Sequence, residues 1–258
     1  MIAVRDKAEI ETMREGGRLL SLLADQLASL VVSGRTGVEL DALVREFAQS
    51  HQASPSFLGY RGYPASLCVS VNDRIVHGVP DDLPFREGDI ISVDVGLRYR
   101  GFHTDMAFTK GVGRVSLEAQ TLMEATCWAL KEAVGVIRPQ VKLLEIAQAV
   151  EREIRKRGLT VIRQFTGHGI GRELHEEPIV PNHTQIPPSL GELALPEGAV
   201  VALEPIVTTG RGEVENLKDG WSTRTQDGAL VAHFEVTVLV GPKGGEVLTP
   251  LPASVSYP

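Results

Sequence analysis

Four acids stand in or at the end of apolar, strand-like runs of this chain: Asp94, Asp105, Glu204 and Glu235. Residues 87–94 read Glu-Gly-Asp-Ile-Ile-Ser-Val-Asp and residues 197–204 read Glu-Gly-Ala-Val-Val-Ala-Leu-Glu, so each run opens on Glu-Gly and closes on a carboxylate. His103-Thr104-Asp105 and His233-Phe234-Glu235 form a second matching pair, each followed at the same distance by a glycine, Gly111 and Gly241. An internal repeat would therefore pair Asp94 with Glu204 and Asp105 with Glu235. A hairpin centred between Tyr99 and Arg100 would set Asp94 directly opposite Asp105, on the face turned away from Ile91, Val93 and Val95. Like charges so close are destabilising unless a cation binds or one acid stays protonated. Four carboxylates meeting from two repeated hairpins call for about two divalent ions, and hence for metal-assisted catalysis.

Histidine supplies the next candidates. His168 lies in Thr166-Gly167-His168-Gly169-Ile170-Gly171, among glycines that allow close backbone approach and leave a ring nitrogen open. His77-Gly78-Val79-Pro80 and His175-Glu176-Glu177-Pro178 share the form His-x-x-Pro, one in each half. His51, His103, His183 and His233 lack such context and are expected to be structural or supporting. His233, Glu235 and Thr237 alternate with Phe234, Val236 and Val238, so the polar set shares one strand face. Carboxylates with a single imidazole suit hard or borderline ions such as Mn, Fe, Co or Zn. The chain has no His-Glu-x-x-His, no Gly-x-Ser-x-Gly elbow and no Gly-x-x-x-x-Gly-Lys-Ser/Thr loop, and no motif marks Cys68 as a nucleophile.

These residues need elements to hold them. Ile10, Met13, Leu20, Leu23 and Leu27 recur at helical spacing over residues 7–31 until Ser33-Gly34, and Thr36 with Glu39 forms a capping-box pattern ahead of Leu40, Leu43, Val44 and Phe47. The polar run 49–56 ends that helix, and strands follow to about residue 112. From Ser116 the order repeats. One helix passes Leu122 and Trp128 to Val136, Pro139 breaks it, another carries Leu144, Ile146, Val150 and Ile154 to Gly158, and strands run on to Val240. Helices then strands, twice over, is an α+β pattern in one domain, residues 1–258, with pseudo-repeats 7–112 and 116–241. The proline-rich tail from Pro242 is expected at the surface.

With 26 basic against 33 acidic side chains and a net charge of −7, the composition argues against nucleic acid or a polybasic membrane patch. Two cysteines, Cys68 and Cys127, are too few for a disulfide framework. The amino terminus moves straight into a charged helical pattern, and no apolar run approaches the ~20 residues of a membrane span. A cytoplasmic location is expected.

Taken together, these residues resemble the type I methionine aminopeptidases. Asp94, Asp105, His168, Glu204 and Glu235 match the family's five metal ligands in order, within Ser92-Val93-Asp94-Val95-Gly96, Gly101-Phe102-His103-Thr104-Asp105, the His168 glycine motif, Leu203-Glu204-Pro205 and Phe234-Glu235. The resemblance covers nearly the whole chain. It implies the pita-bread fold, two halves about a pseudo-twofold axis with helices packed on a curved, mainly antiparallel sheet. It implies removal of the initiator methionine from nascent polypeptides whose second residue is small. Asp105 and Glu235 would bridge two divalent ions (Co, Mn, Fe, Zn or Ni), Asp94 would hold one, and His168 with Glu204 the other. Glu204 would accept the proton of the attacking water. His77 and His175 would lie near the substrate's peptide nitrogen and carbonyl oxygen, and Tyr60, Tyr63, Cys68 and Trp221 would line the methionine pocket. The family suggests a monomer, with ribosome contact left open.

Phe57, Arg61, Leu174 and His233 depart from the residues common in relatives, which bears on pocket shape rather than on the ligand set. Proline-specific enzymes of the same fold carry a long amino-terminal domain, which is not expected here, and type II methionine aminopeptidases insert a subdomain where only 30 residues separate Glu204 from Glu235. A non-catalytic binding protein on this fold would not need all five ligands, which are intact here.

Overall fold

Helix α1 (Lys7–Leu30) starts where Asp6 accepts hydrogen bonds from the amides of Ala8 and Glu9, while Glu9 reaches back to the amide of Asp6. Helix α2 (Gly37–Ser50) opens on the Thr36/Glu39 capping box that the spacing predicts. Helices α3 (Leu117–Val136) and α4 (Leu143–Lys156) form the second pair and pack on each other. The computed structural model describes residues 2–255.

Nine strands make one sheet: β1 (Ala53–Pro55), β2 (Cys68–Val71), β3 (Ile90–Tyr99), β4 (Phe102–Gly111), β5 (Gly167–Gly169), β6 (Glu176–Val180), β7 (Val200–Leu203), β8 (Glu235–Gly241) and β9 (Gly244–Val247). Their order is β1-β3-β4-β8-β7-β5-β6, with β2 also on β3 and β9 also on β8. Strands of both halves thus share one sheet, and β4 meets β8 antiparallel with Met106 opposite Val236. Residues Ile206–Thr208, Val231–His233 and Thr160–Val161 form a small separate sheet beside it.

Alternation decides which face does what. Ile91, Val93, Val95, Met106 and Phe108 are fully buried in the same core as Leu20, Leu23 and Leu27 of α1 and Leu122 of α3. Side chains of a strand alternate between faces, so Asp94 and Asp105 emerge on the face away from that core.

The register corrects one expectation. Tyr99 pairs with Phe102, so the turn is Arg100-Gly101, and Asp94 faces Ala107 while Asp105 faces Gly96. The two acids share a face but sit diagonally rather than opposite. A two-residue hairpin turn of this kind needs both central residues left-handed, and Arg100 (φ 46°) and Gly101 (φ 88°) meet that. A centre one residue earlier would force Tyr99 into the region that glycine tolerates best. The tail is a second correction. Residues beyond Pro242 are not all surface: β9 pairs with β8, and Leu248, Thr249 and Val255 are buried. Gly17 of α1 lies against the Leu248 carbonyl so closely that no Cβ would fit.

Candidate active site

The expected ligands lie on five neighbouring strands. Asp94 is on β3, Asp105 on β4, Glu235 at the start of β8, Glu204 just past the end of β7, and His168 on β5 opposite Ala202. Small residues leave room between them. Ala107 has Asp94 on one side and Glu235 on the other. At Gly96, opposite Asp105, a Cβ would stand 3.2 Å from Asp105 Oδ1 and 2.9 Å from Ser56 Cβ.

The acids carry too little compensation for their burial. Asp105 is 4% exposed and Glu235 2%. Asp94 Oδ1 and Glu235 Oε1 are buried with no hydrogen-bond partner. Ion-pair contacts of the four carboxylates among the described residues are only with His168 and His233. Burial, and then the neighbouring carboxylates, push Asp94, Glu204 and Glu235 well above the usual range, and burial raises Asp105 to about 7. Unpaired buried carboxylates are costly. A group of them with orphaned oxygens suits divalent cations, which take oxygen and imidazole ligands. Ligand atoms of Asp105, His168 and Glu235 lie within 4.8 Å of one another, as do those of Glu204, His233 and Glu235; Asp94 belongs to neither group. His168 Nδ1 lies 2.9 Å from the Gly169 carbonyl, so Nδ1 carries the proton and Nε2, 3.6 Å from Glu204 Oε1, offers its lone pair.

These acids form one wall of a cavity of about 210 Å³. Every residue singled out in the sequence for ligation, catalysis or substrate binding lines it: Tyr60, Tyr63, Cys68, His77 and Asp94 from the first half's loops and strands, then Asp105, His168, His175, Glu204, Trp221 and Glu235. Phe57, Arg61, Leu174 and His233, the departures, line it too. Tyr63 and Trp221 meet edge to face at 5.2 Å. His175 Nδ1 is 2.9 Å from the Tyr60 hydroxyl, and its ring lies 4.2 Å from that of His168. Burial, then the neighbouring His168, lowers His175 to about 3, so its ring is neutral. His77 sits at φ 58°, a left-handed backbone uncommon for a side chain of its size, against Phe165 at 5.8 Å. Burial lowers its pKa as well.

Two features differ from expectation or escaped it. Met106 opposite Val236 is the pairing a repeat relating Asp105 to Glu235 requires. Leu203 faces Val236, however, which brings Glu204 level with Glu235, whereas Asp105 is level with Gly96. Asp94 and Glu204 are therefore not equivalent in the ladder; the outer strands differ by a two-residue slip. Such a slip keeps every side chain on its face, so alternation in sequence cannot reveal it. His233, expected to be structural or supporting, reaches the carboxylates directly: its Nε2 is 3.7 Å from Glu235 Oε2 and 4.0 Å from Glu204 Oε2. The alternation of His233 with Glu235 was the signal available for it. Val76 and Phe165 also line the cavity and had no sequence signal.

An antiparallel sheet that gathers four carboxylates and an imidazole beside an aromatic pocket defines a metal-dependent hydrolase site. Residues 11–242 match the model of metallopeptidase family M24, and the chain belongs to that family. Within it the kinship is with the methionine aminopeptidases. The enzyme of that name from Clostridium perfringens is 41% identical over 249 residues, covering 96% of this chain and 99% of its own. That from Escherichia coli is 34% identical over 263 aligned residues, covering 99% and 98%. The crystal structure of methionine aminopeptidase from Thermotoga maritima superposes with a TM-score of 0.93 at 37% identity, over 96% of this chain and 99% of that one. An Xaa-Pro dipeptidase from Bacillus anthracis shares the fold at a TM-score of 0.74 and 20% identity, but this chain covers only 62% of it. The chain is thus an M24 metallopeptidase with the pita-bread fold.

Proposed function

We propose that this chain removes the amino-terminal methionine from nascent polypeptides whose second residue is small, using two divalent ions held by Asp94, Asp105, His168, Glu204 and Glu235. The observation that carries this reading is the buried, uncompensated acid cluster on the wall of an aromatic pocket. Four ionised carboxylates match the charge of two such ions, and bound ions would polarise a peptide carbonyl and lower the pKa of water. The identity of the metal among Co, Mn, Fe, Zn and Ni follows availability as much as ligand type.

The chain's own groups fill the remaining roles. Glu204, at a strand end and 12% exposed, is placed to accept a proton at its carboxylate and pass it to the leaving amine. A Tyr60 hydroxyl donating to His175 Nδ1 leaves the proton of that neutral ring on Nε2, where it can hydrogen-bond a carbonyl oxygen as negative charge develops. His77, which also lines the cavity, would serve the peptide nitrogen. Tyr63, Cys68 and Trp221, with Tyr60, form the apolar slot for an unbranched thioether. The whole chain works as one catalytic domain, a monomer acting in the cytoplasm, with the ribosome as the source of its substrates. Among the described residues no helix is long and apolar enough to cross a membrane.

Metal analysis paired with hydrolysis of Met-Ala-Ser, Met-Leu-Ser and Ala-Pro-Ala tests the reading. About two ions per chain and preferential release of methionine from Met-Ala-Ser are expected. Cleavage of Ala-Pro-Ala alone would point to a proline-specific enzyme, and stoichiometric metal without release from any peptide to a binding protein.

A further inference from the structure

Among the described residues that line the cavity, Arg61 is the one lysine or arginine. It sits in a single helical turn, Tyr60–Gly62, at φ 51°, between Gly59 at φ 79° and Gly62 at φ 90°. Left-handed backbone suits the two glycines but is unfavourable for a side chain as large as arginine. The turn nevertheless fixes it: the amides of Tyr60, Tyr63 and Gly59 donate to the carbonyls of Phe57, Tyr60 and Tyr63, each at 2.9 Å. The guanidinium lies over the Tyr60 ring, 5.3 Å from its centroid, and among the described residues no carboxylate pairs with it. Because the Tyr60 hydroxyl is 2.9 Å from His175 Nδ1, Arg61, Tyr60 and His175 run along one edge of the cavity.

That edge is the open one. Arg61, His77 and His175 are exposed, whereas Tyr63 and Cys68 are buried, so the methionine slot lies deep and the mouth lies beside Arg61. A polypeptide with its methionine in the slot and its first carbonyl at His175 must leave through this mouth. Its second residue is small, so the third is the first able to carry a long charged side chain past the rim. Two divalent ions offset the four acids of the wall, which leaves Arg61 as the uncompensated charge of the cavity. A guanidinium with free N–H groups takes a carboxylate through two parallel hydrogen bonds. We propose that Arg61 is a specificity-determining residue that favours substrates with aspartate or glutamate at the third position. This inference rests on the reading of the chain as a methionine aminopeptidase.

The test compares Met-Ala-Glu-Ser, Met-Ala-Gln-Ser and Met-Ala-Lys-Ser, amidated at the carboxyl terminus so that the side chain carries the sole variable charge. Metal-loaded wild type should show a KM about two- to fivefold lower for the Glu peptide than for the Gln peptide, the range of an exposed ion pair, and a higher KM for the Lys peptide. Values of kcat should agree, since a contact far from the reacting bond holds substrate and transition state alike. Raising the salt from about 0.01 M to about 1 M should erase the difference. Arg61→Gln should remove the preference and Arg61→Glu should reverse it in favour of the Lys peptide. Calorimetric binding of uncleavable analogues, with the first peptide bond reduced to a methylene-amine, should give the same order without turnover. Equal KM for the three peptides in the wild type, or a Glu preference that survives in Arg61→Gln, would overturn the proposal. Methionine release from none of the peptides would instead sink the reading beneath it.

Discussion

Removing metal should leave a protein that loses stability as pH rises through the range where most proteins hold steady. In the metal-free fold, burial holds Asp94, Glu204 and Glu235 well above the usual carboxylate range and Asp105 at about 7. In the unfolded chain these groups ionise near pH 4. Between those limits the folded state binds more protons than the unfolded state, so unfolding free energy falls as pH increases. Asp105 alone, raised from 3.8 to about 7, corresponds to roughly 4 kcal/mol lost once the pH is above 7. Above pH 7 each carboxylate still protonated contributes a slope of about 1.4 kcal/mol per pH unit. Buried histidines oppose this mainly at lower pH. His77, His103, His168, His175, His183 and His233 have lowered pKa values, so their contribution is lost as pH falls below about 6.5 and changes by only about 0.1 kcal/mol each from pH 7 to 8. The clean window is therefore pH 7 to 8. Urea unfolding at 25 °C of chelator-treated protein should show less stability at pH 8 than at pH 7. Protein reconstituted with Mn²⁺ should show no such fall, because bound cations keep the ligands ionised in the folded state. Equal stability of the metal-free protein at pH 7 and 8 would mean that the acids are not held protonated, and that the charge argument for metal fails.

Other perturbations separate chemistry from scaffold. His175→Ala should keep its full metal content by elemental analysis yet lose about 10²–10³ in kcat, and loss of metal in that variant would contradict its place at the carbonyl oxygen. Tyr60→Phe removes the 2.9 Å bond that orients His175 and should lower kcat about fivefold, corresponding to about 1 kcal/mol, with metal affinity unchanged. Gly17→Ala drives a methyl into the Leu248 carbonyl and should cost about 1–3 kcal/mol in urea unfolding while kcat of the folded fraction stays normal.

Much of the site was legible because its signals are local. Thr36/Glu39 satisfies amides within one helical turn, so that capping box can be read off spacing; Asp6/Glu9, built the same way, was not singled out in the sequence. Alternation of Asp94 with Val93 and Val95 states which face the acid occupies, whatever lies beside it. Glycines around His168 and the His-x-x-Pro form of His77 and His175 are likewise properties of adjacent residues.

The residue types of the five proposed ligands, the strand faces of Asp94, Asp105 and Glu235 and the helix–helix–strands order were determined by the sequence alone. Tertiary structure decided what depends on pairing between distant segments. The hairpin register moved by one residue because Arg100-Gly101, not Tyr99-Arg100, takes the left-handed turn. Asp94 and Glu204 separated in the ladder through a two-residue slip that leaves both faces unchanged. His233 lies beside the acids where the Thr109 hydroxyl of the neighbouring hairpin holds its backbone. Periodicity along one chain records which side of a strand a residue faces, but only hydrogen bonding across strands sets what stands opposite it.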